Sequence, residues 1–121
     1  MIVIYHNPES SDSNACLEIL ETHKHAHEVI KYQEKPLDKT KLIKIIKILN
    51  VKPEALIRKE SKVWIEHFKH LEDDGHILDD DNLIDIMIEY QDLIERPIVI
   101  NGQKAVIGKP AKRIFDIIPQ N

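Results

Sequence analysis

The stretch Ile2-Val3-Ile4-Tyr5-His6-Asn7-Pro8-Glu9-Ser10-Ser11-Asp12-Ser13-Asn14-Ala15-Cys16-Leu17 constrains the fold more than any other. Its β-branched and aromatic start reads as a buried strand over residues 2–5. Asn7-Pro8 interrupts that strand, and small polar residues then open a helix over 11–22. Cys16, Leu17 and Leu20 fall on one helix face, Glu18 and Glu21 on another. Glu28–Tyr32 reads as a second strand, completing a β-α-β unit for which a right-handed parallel crossover is expected. A strand that empties into a helix N-terminus leaves unpaired backbone N–H groups beyond it, and the helix dipole adds partial positive charge. An α/β protein holds an anion or a nucleophile at such a place.

The rest of the chain supplies partners for that unit. Asp38 is a plausible N-cap for a helix whose Leu42, Ile45, Ile46 and Leu49 follow the spacing of an amphipathic face. Asn50 can close this helix in a left-handed conformation, and Pro53 suits the first turn of a short helix with Leu56 and Ile57. Ser61 caps a further short helix carrying Val63, Trp64 and Phe68. Residues 69–82 are polar, with a turn at Asp73-Asp74-Gly75. Asp79-Asp80-Asp81 then places negative charge where the next helix begins, ahead of Leu83, Ile84, Met87 and Ile88. Asn101-Gly102 is a hairpin signal joining strands 98–100 and 104–107, and a last helix turns Ile114, Phe115 and Ile118 inward. The expected architecture is α/β: a β-α-β unit, a helical insertion over about 36–92, then β-β-α, giving a mixed four-stranded sheet. The flanking segments cannot build that sheet without each other, so residues 1–121 are expected to form one domain.

Charge and composition narrow the functional classes. The net charge of −4 gives no general electrostatic case for direct nucleic-acid binding. No apolar run approaches the ~20 residues that span a bilayer, and no basic-then-apolar leader is evident. A single cysteine rules out an intramolecular disulfide, and the cytoplasm is the expected compartment.

Four motifs occur in order: Tyr5-His6-Asn7-Pro8, Ala55-Leu56-Ile57-Arg58-Lys59, Glu95-Arg96-Pro97-Ile98-Val99 and Ile107-Gly108-Lys109-Pro110. Together they resemble the glutaredoxin-dependent arsenate reductase (ArsC) family over nearly the whole chain, at matching spacings. The resemblance implies a thioredoxin-like fold and an oxidoreductase. Pro97 would be the family's cis-proline beside the active-site loop. Family members carry Asn-Pro-x-Cys at the strand–helix turn, usually followed by x-x-Ser-Arg. Their cysteine thiolate attacks arsenate, while helix N–H groups and arginines bind the oxyanion and lower the thiol pKa. Glutathione and glutaredoxin then take the arsenic–thiol adduct apart.

Against that pattern Ser10 stands at the cysteine position and Asn14 at the position of the loop arginine. Lys109 replaces another arginine, keeping charge but losing the bidentate fork. Arg58, Arg96 and Lys109 are therefore the expected oxyanion ligands, with His6, Asn7, Ser13 and Pro97 supporting the loop. A serine hydroxyl is a poor nucleophile near neutral pH unless a base activates it, and His6 is the nearby candidate base. Glu9 and Asp12 flank the loop, and a carboxylate ~6 Å from a bound anion costs on the order of 2–3 kcal/mol at an effective dielectric of ~20. Cys16 reads as a small buried core residue.

Other signals carry bland readings. His23, His25 and His27 would share one side of an extended segment and could bind zinc, but a helix-to-strand loop is expected, and no metal site or resident cofactor. Asp74-Gly75-His76-Ile77 fails a calcium-loop template because His70 takes the first ligand position. Lys39, Lys41, Lys44 and Lys47 form a solvated basic side. The expected function is that of an arsenate reductase-family protein, weakened or inactivated as a pseudoenzyme. Its expected partners are a small oxyanion and, if active, glutathione and glutaredoxin. Two alternatives stand beside it. One is a non-catalytic Spx-like module that binds RNA polymerase or another protein, without a thiol switch because Ser10 and Ser13 occupy the Cys-x-x-Cys positions. The other is an enzyme using Ser10 as nucleophile on a phosphoryl or acyl group.

Overall fold

Strand β1 spans Ile2–His6, as its β-branched run requires. A computed structural model of the chain describes residues 1–76 and 78–119; Ile77 of the Asp74–Ile77 segment lies outside them. Helix α1 is Ser11–Thr22 and strand β2 is His27–Lys31, one residue earlier than its apolar content suggests. The described residues fall into two compact units, Met1–Pro36 with the chain from Arg96 onward, and Leu37–Glu95.

In the first unit the sheet order is β2-β1-β3-β4, with β3 at Ile98–Asn101 and β4 at Lys104–Ile107. β1 runs parallel to β2 and antiparallel to β3, and β3 is antiparallel to β4. This is the mixed sheet expected from the β-α-β and β-β-α segments. Gly102 takes φ +63° at the hairpin, a conformation a side chain would oppose. The sheet's alternation turns Ile2, Ile4, Val99 and Val106 toward Cys16 and Leu20 of α1 and toward Ile114, Ile117 and Ile118. The C-terminal element is not an α-helix but a 3-10 segment, Ala111–Asp116. Pro110 and Pro119 bracket it, leaving too little chain for a longer helix. Ile114 is buried as expected, whereas Phe115 is only partly covered.

In the second unit α2 spans Lys39–Leu49, capped by Asp38, whose side chain accepts from the Lys41 N–H. Asn50 ends it in the left-handed conformation the sequence implies. Pro53–Leu56 forms a 3-10 turn, and α3 covers Lys62–His67 with Ser61 as its cap. The polar stretch after it contains a short helix, α4 at Lys69–Asp73, where the sequence suggests only loop and turn; Lys69 pairs with Asp73 one turn along. Helix α5 is Asp80–Glu89, capped by Asp79. Leu42, Ile45, Leu56, Trp64, Leu83, Met87 and Leu93 are the buried apolar residues of this unit that matter most. Lys59 binds Glu54 at 2.5 Å and Glu72 at 2.7 Å above the Trp64 ring.

Candidate functional site: the loop between β1 and α1

Alternation along β1 puts His6 on the same face as Ile2 and Ile4, which is the face α1 covers. His6 is therefore buried, 3% exposed, and its Nδ1 lies 2.5 Å from the Ser13 hydroxyl. The same hydroxyl accepts the Asn7 N–H at 3.0 Å. Burial, and secondarily the Lys31 ammonium, lower the His6 pKa, so the ring is neutral in neutral solution. The ring thus engages Ser13, one helical turn into α1, rather than Ser10.

The loop closes on itself through its short polar side chains. Asn7 Oδ1 accepts the Glu9 N–H at 3.1 Å, and the Asn7 carbonyl accepts the Ser10 N–H at 3.0 Å. Ser10 is the N-cap of α1: its hydroxyl oxygen accepts the Ser13 N–H at 3.2 Å, and its carbonyl accepts the Asn14 N–H at 3.0 Å. Asn14 Nδ2 turns back to donate to the Pro8 carbonyl at 2.9 Å, which ties the loop down. The backbone donors of Asn7, Glu9, Ser10, Ser13 and Asn14 thus have acceptors inside the chain. Helix geometry leaves the Ser11 and Asp12 N–H groups directed outward for an incoming anion. The Asp12 carboxylate in the same first turn competes for that positive end.

The strand directions bring the remaining residues to this edge of the sheet. β1, β2 and β4 end here and β3 begins here. Tyr32, Arg96-Pro97 and Gly108-Lys109 therefore gather around the exit of β1. Both Arg96–Pro97 and Lys109–Pro110 are cis peptide bonds. Gly108 donates its N–H to the Pro97 carbonyl at 2.9 Å. A Cβ on Gly108 would lie 2.6 Å from Cys16 Sγ and 2.9 Å from Pro97 Cγ, so only glycine lets these three segments meet. Arg96 is 4% exposed, and its guanidinium carbon sits 4.2 Å from the centre of the Tyr32 ring. Lys109 is exposed. Tyr32 and Gly108 have parts in this arrangement that the sequence does not announce. Tyr32 looks like a strand residue, and the role of Gly108 depends on a sulfur far away in the chain.

Cys16 is fully buried, and its Sγ lies 3.8 Å from the carbonyl oxygens of Gly108 and Ala111. Burial, then the Asp12 carboxylate, push its thiol pKa up to about 11. Arg58 lies in the second unit. Its Nη1 donates to the Asp92 carbonyl at 3.3 Å and its Nε is 3.9 Å from Glu60 Oε1. The three histidines do not line one extended side: His23 caps α1 and Lys24 takes φ 58°, which bends the run between them. Among the described residues no group of three His, Cys, Asp or Glu side chains is placed to hold a metal ion.

The ArsC family model matches residues 5–117. The arsenate reductase of Neisseria meningitidis serogroup A is 37% identical over 117 residues, covering 97% of this chain and 97% of that protein. That of Acidiphilium multivorum is 33% identical over 118 residues, covering 98% of this chain and 81% of that protein. The structure of an arsenate reductase from Vibrio cholerae matches with a TM-score of 0.85 at 34% identity, covering 97% of each chain.

Proposed function

The chain belongs to the ArsC family, and from that premise we propose that its β1–α1 loop binds a tetrahedral oxyanion but does not reduce it by thiol chemistry. One observation carries the reading: the only sulfhydryl in the chain, Cys16, is shut inside the core with a pKa near 11. Reduction of arsenate in this family starts from a thiolate, and Ser10 has none to offer. Its hydroxyl serves as a helix cap. No cysteine–arsenic adduct then forms for glutathione and glutaredoxin to take apart.

The oxyanion ligands in this reading are the Ser11 and Asp12 N–H groups, Arg96 and Lys109. Asn14 adds no charge, because a carboxamide is neutral, and its Nδ2 donates to the Pro8 carbonyl. Glu9 and Asp12 weaken the site relative to one lined by arginines. The compartment that fits this chemistry is the cytoplasm. No helix among the described residues is long and apolar enough to cross a membrane.

The test is arsenate reduction with glutathione and glutaredoxin, compared among the native protein, Ser10→Cys, and Ser10→Cys with Asn14→Arg. The native protein should not exceed the glutathione blank, and the cysteine variants should. Native turnover equal to that of the double variant would sink the proposal.

A further inference from the structure

Helix α2 carries Lys39, Lys41, Lys44 and Lys47 and no acidic residue, whereas α5 carries Asp80, Asp81, Asp85 and Glu89 and no basic one. At about 3.6 residues per turn, Lys41, Lys44 and Lys47 fall on the arc of α2 turned away from the buried Leu42, Ile45 and Ile46. Asp81, Asp85 and Glu89 recur at i, i+4 spacing on the arc of α5 turned away from Leu83, Ile84 and Met87. All six charged side chains are exposed. α2 packs against α5, and Lys39 Nζ pairs with Asp85 at 2.8 Å between them. A basic row and an acidic row therefore lie on neighbouring helices of the second unit.

Neither row is explained by its own helix. Like charges one turn apart repel, along both rows. The helix dipole disfavours Lys41 in the first turn of α2 and Glu89 in the last turn of α5. Helix-start chemistry accounts for Asp79, Asp80 and Asp81 but does not reach Asp85 or Glu89. Among the described residues Lys41, Lys44, Lys47 and Glu89 make no ion pair. We propose that the two rows are the contact face of a weak homodimer, in which the α2 row of each copy faces the α5 row of the other about a two-fold axis. A two-fold interface requires one face to be complementary to itself, and two adjacent rows of opposite sign are. At ~1.5 Å per residue, Lys41 to Lys47 spans about 9 Å and Asp81 to Glu89 about 12 Å, so the rows match in length. The partly buried Ile48 within the lysine row and Ile88 beside the acidic row add apolar contact. A nucleic acid fits worse, since it would meet the α5 carboxylates and a chain of net charge −4. Exposed ion pairs each contribute little, so the dimer is transient and salt-sensitive. The face lies in the second unit and is independent of the oxyanion reading.

The experiment is sedimentation velocity of the full chain over a concentration series, at ~0.01 M and ~1 M salt, between which the Debye length falls from ~30 Å to ~3 Å. The native protein should associate at low salt and lose affinity by about tenfold or more at high salt. Two charge-reversed variants test the face itself. One is Lys41→Glu with Lys44→Glu; the other is Asp81→Lys with Glu89→Lys, which leaves the Lys39–Asp85 pair in place. Each alone should stay monomeric, because its α2 and α5 rows then carry mostly the same sign. An equal mixture should recover the dimer, because each reversed row meets a row of opposite sign on the other variant. Lys104→Glu with Lys112→Glu makes the same change of net charge as the lysine reversal, but at exposed positions of the first unit, and should still associate. Thermal melts check that each variant is folded; where a double reversal fails to fold, Lys44→Glu and Glu89→Lys alone give a smaller version of the same pattern. A native protein that stays monomeric at low salt overturns the proposal. So does a dimer that survives in either folded reversal, or a mixture of folded reversals that stays monomeric.

Discussion

Ser10 and Cys16 belong to the same helical segment and meet opposite environments. Ser10 stands at the N-terminus of α1, where backbone donors and the dipole favour negative charge, and its hydroxyl is used as a cap. Cys16 stands further along the helix, packed among Ile4, Leu20, Val99 and Ile114, where charge is penalised. The place that would stabilise a thiolate holds an oxygen, and the place that holds the sulfur suppresses ionisation. Nucleophilicity is therefore set by position as much as by atom type, and moving one sulfur atom along one helix is the sharpest way to probe it.

The largest effect should be on thiol reactivity. A cysteine at position 10 should have a pKa of ~7.5 or lower, as helix N-terminal thiols do, against about 11 for Cys16, so thiolate fractions at pH 7 differ roughly a thousandfold or more. Iodoacetamide labelling of folded Ser10→Cys should be faster than that of the native protein by at least that factor. Equal rates would erase the contrast between the two positions. Next comes packing around the sulfur. Gly108→Ala drives a methyl group into Cys16 Sγ and Pro97, and should cost about 1–3 kcal/mol in thermal or denaturant unfolding. Adding Cys16→Ala should make the pair less damaging than the sum of the singles; strict additivity would mean the contact is not where the strain lies.

A smaller loss, ~1 kcal/mol, is expected for Ser10→Ala, with Ser10→Asp within a few tenths of the native protein, because the side-chain oxygen at the cap is what matters. If alanine is neutral there, Ser10 is not acting as a cap. The smallest effect is the pH dependence from His6. Its folded pKa lies below the ordinary 6.5, so the unfolded chain binds more protons as pH falls. The stability this gives is fully present above pH 6.5 and drains away as the pH drops through 6.5 toward the folded value. His6→Gln should flatten that acid limb in a series of melting curves, and an unchanged slope would place the titration elsewhere.

Some of the site is legible without coordinates. The β1–turn–α1 boundary, the Asp38 and Ser61 caps, the acidic start of α5, the left-handed Asn50 and the Asn101-Gly102 hairpin all follow from local chemistry, because each depends on a few neighbouring residues. The burial of Cys16 follows from helical periodicity. Less legible is what short side chains do to each other. Ser10, Ser13, Asn7 and Asn14 could each face solvent or an anion; which hydrogen bond each makes depends on the closure of one loop. The histidine triplet lies at the helix-to-strand loop that the sequence suggests, where a left-handed Lys24 breaks the alternation. The short helix α4 is hidden because its support is an ion pair rather than an apolar stripe.

The sequence by itself determined the order of the sheet-forming segments, the mixed sheet, the family, and the absence of a thiol at the head of α1. These rest on periodicity, turn chemistry and residue identity, which are local properties. Tertiary structure alone decided that His6 meets Ser13, that Gly108 must be glycine, and that the Arg96 guanidinium lies over the Tyr32 ring. Each of these joins segments far apart in the chain, and sheet pairing, rather than any pattern along it, puts them within a few ångströms of each other.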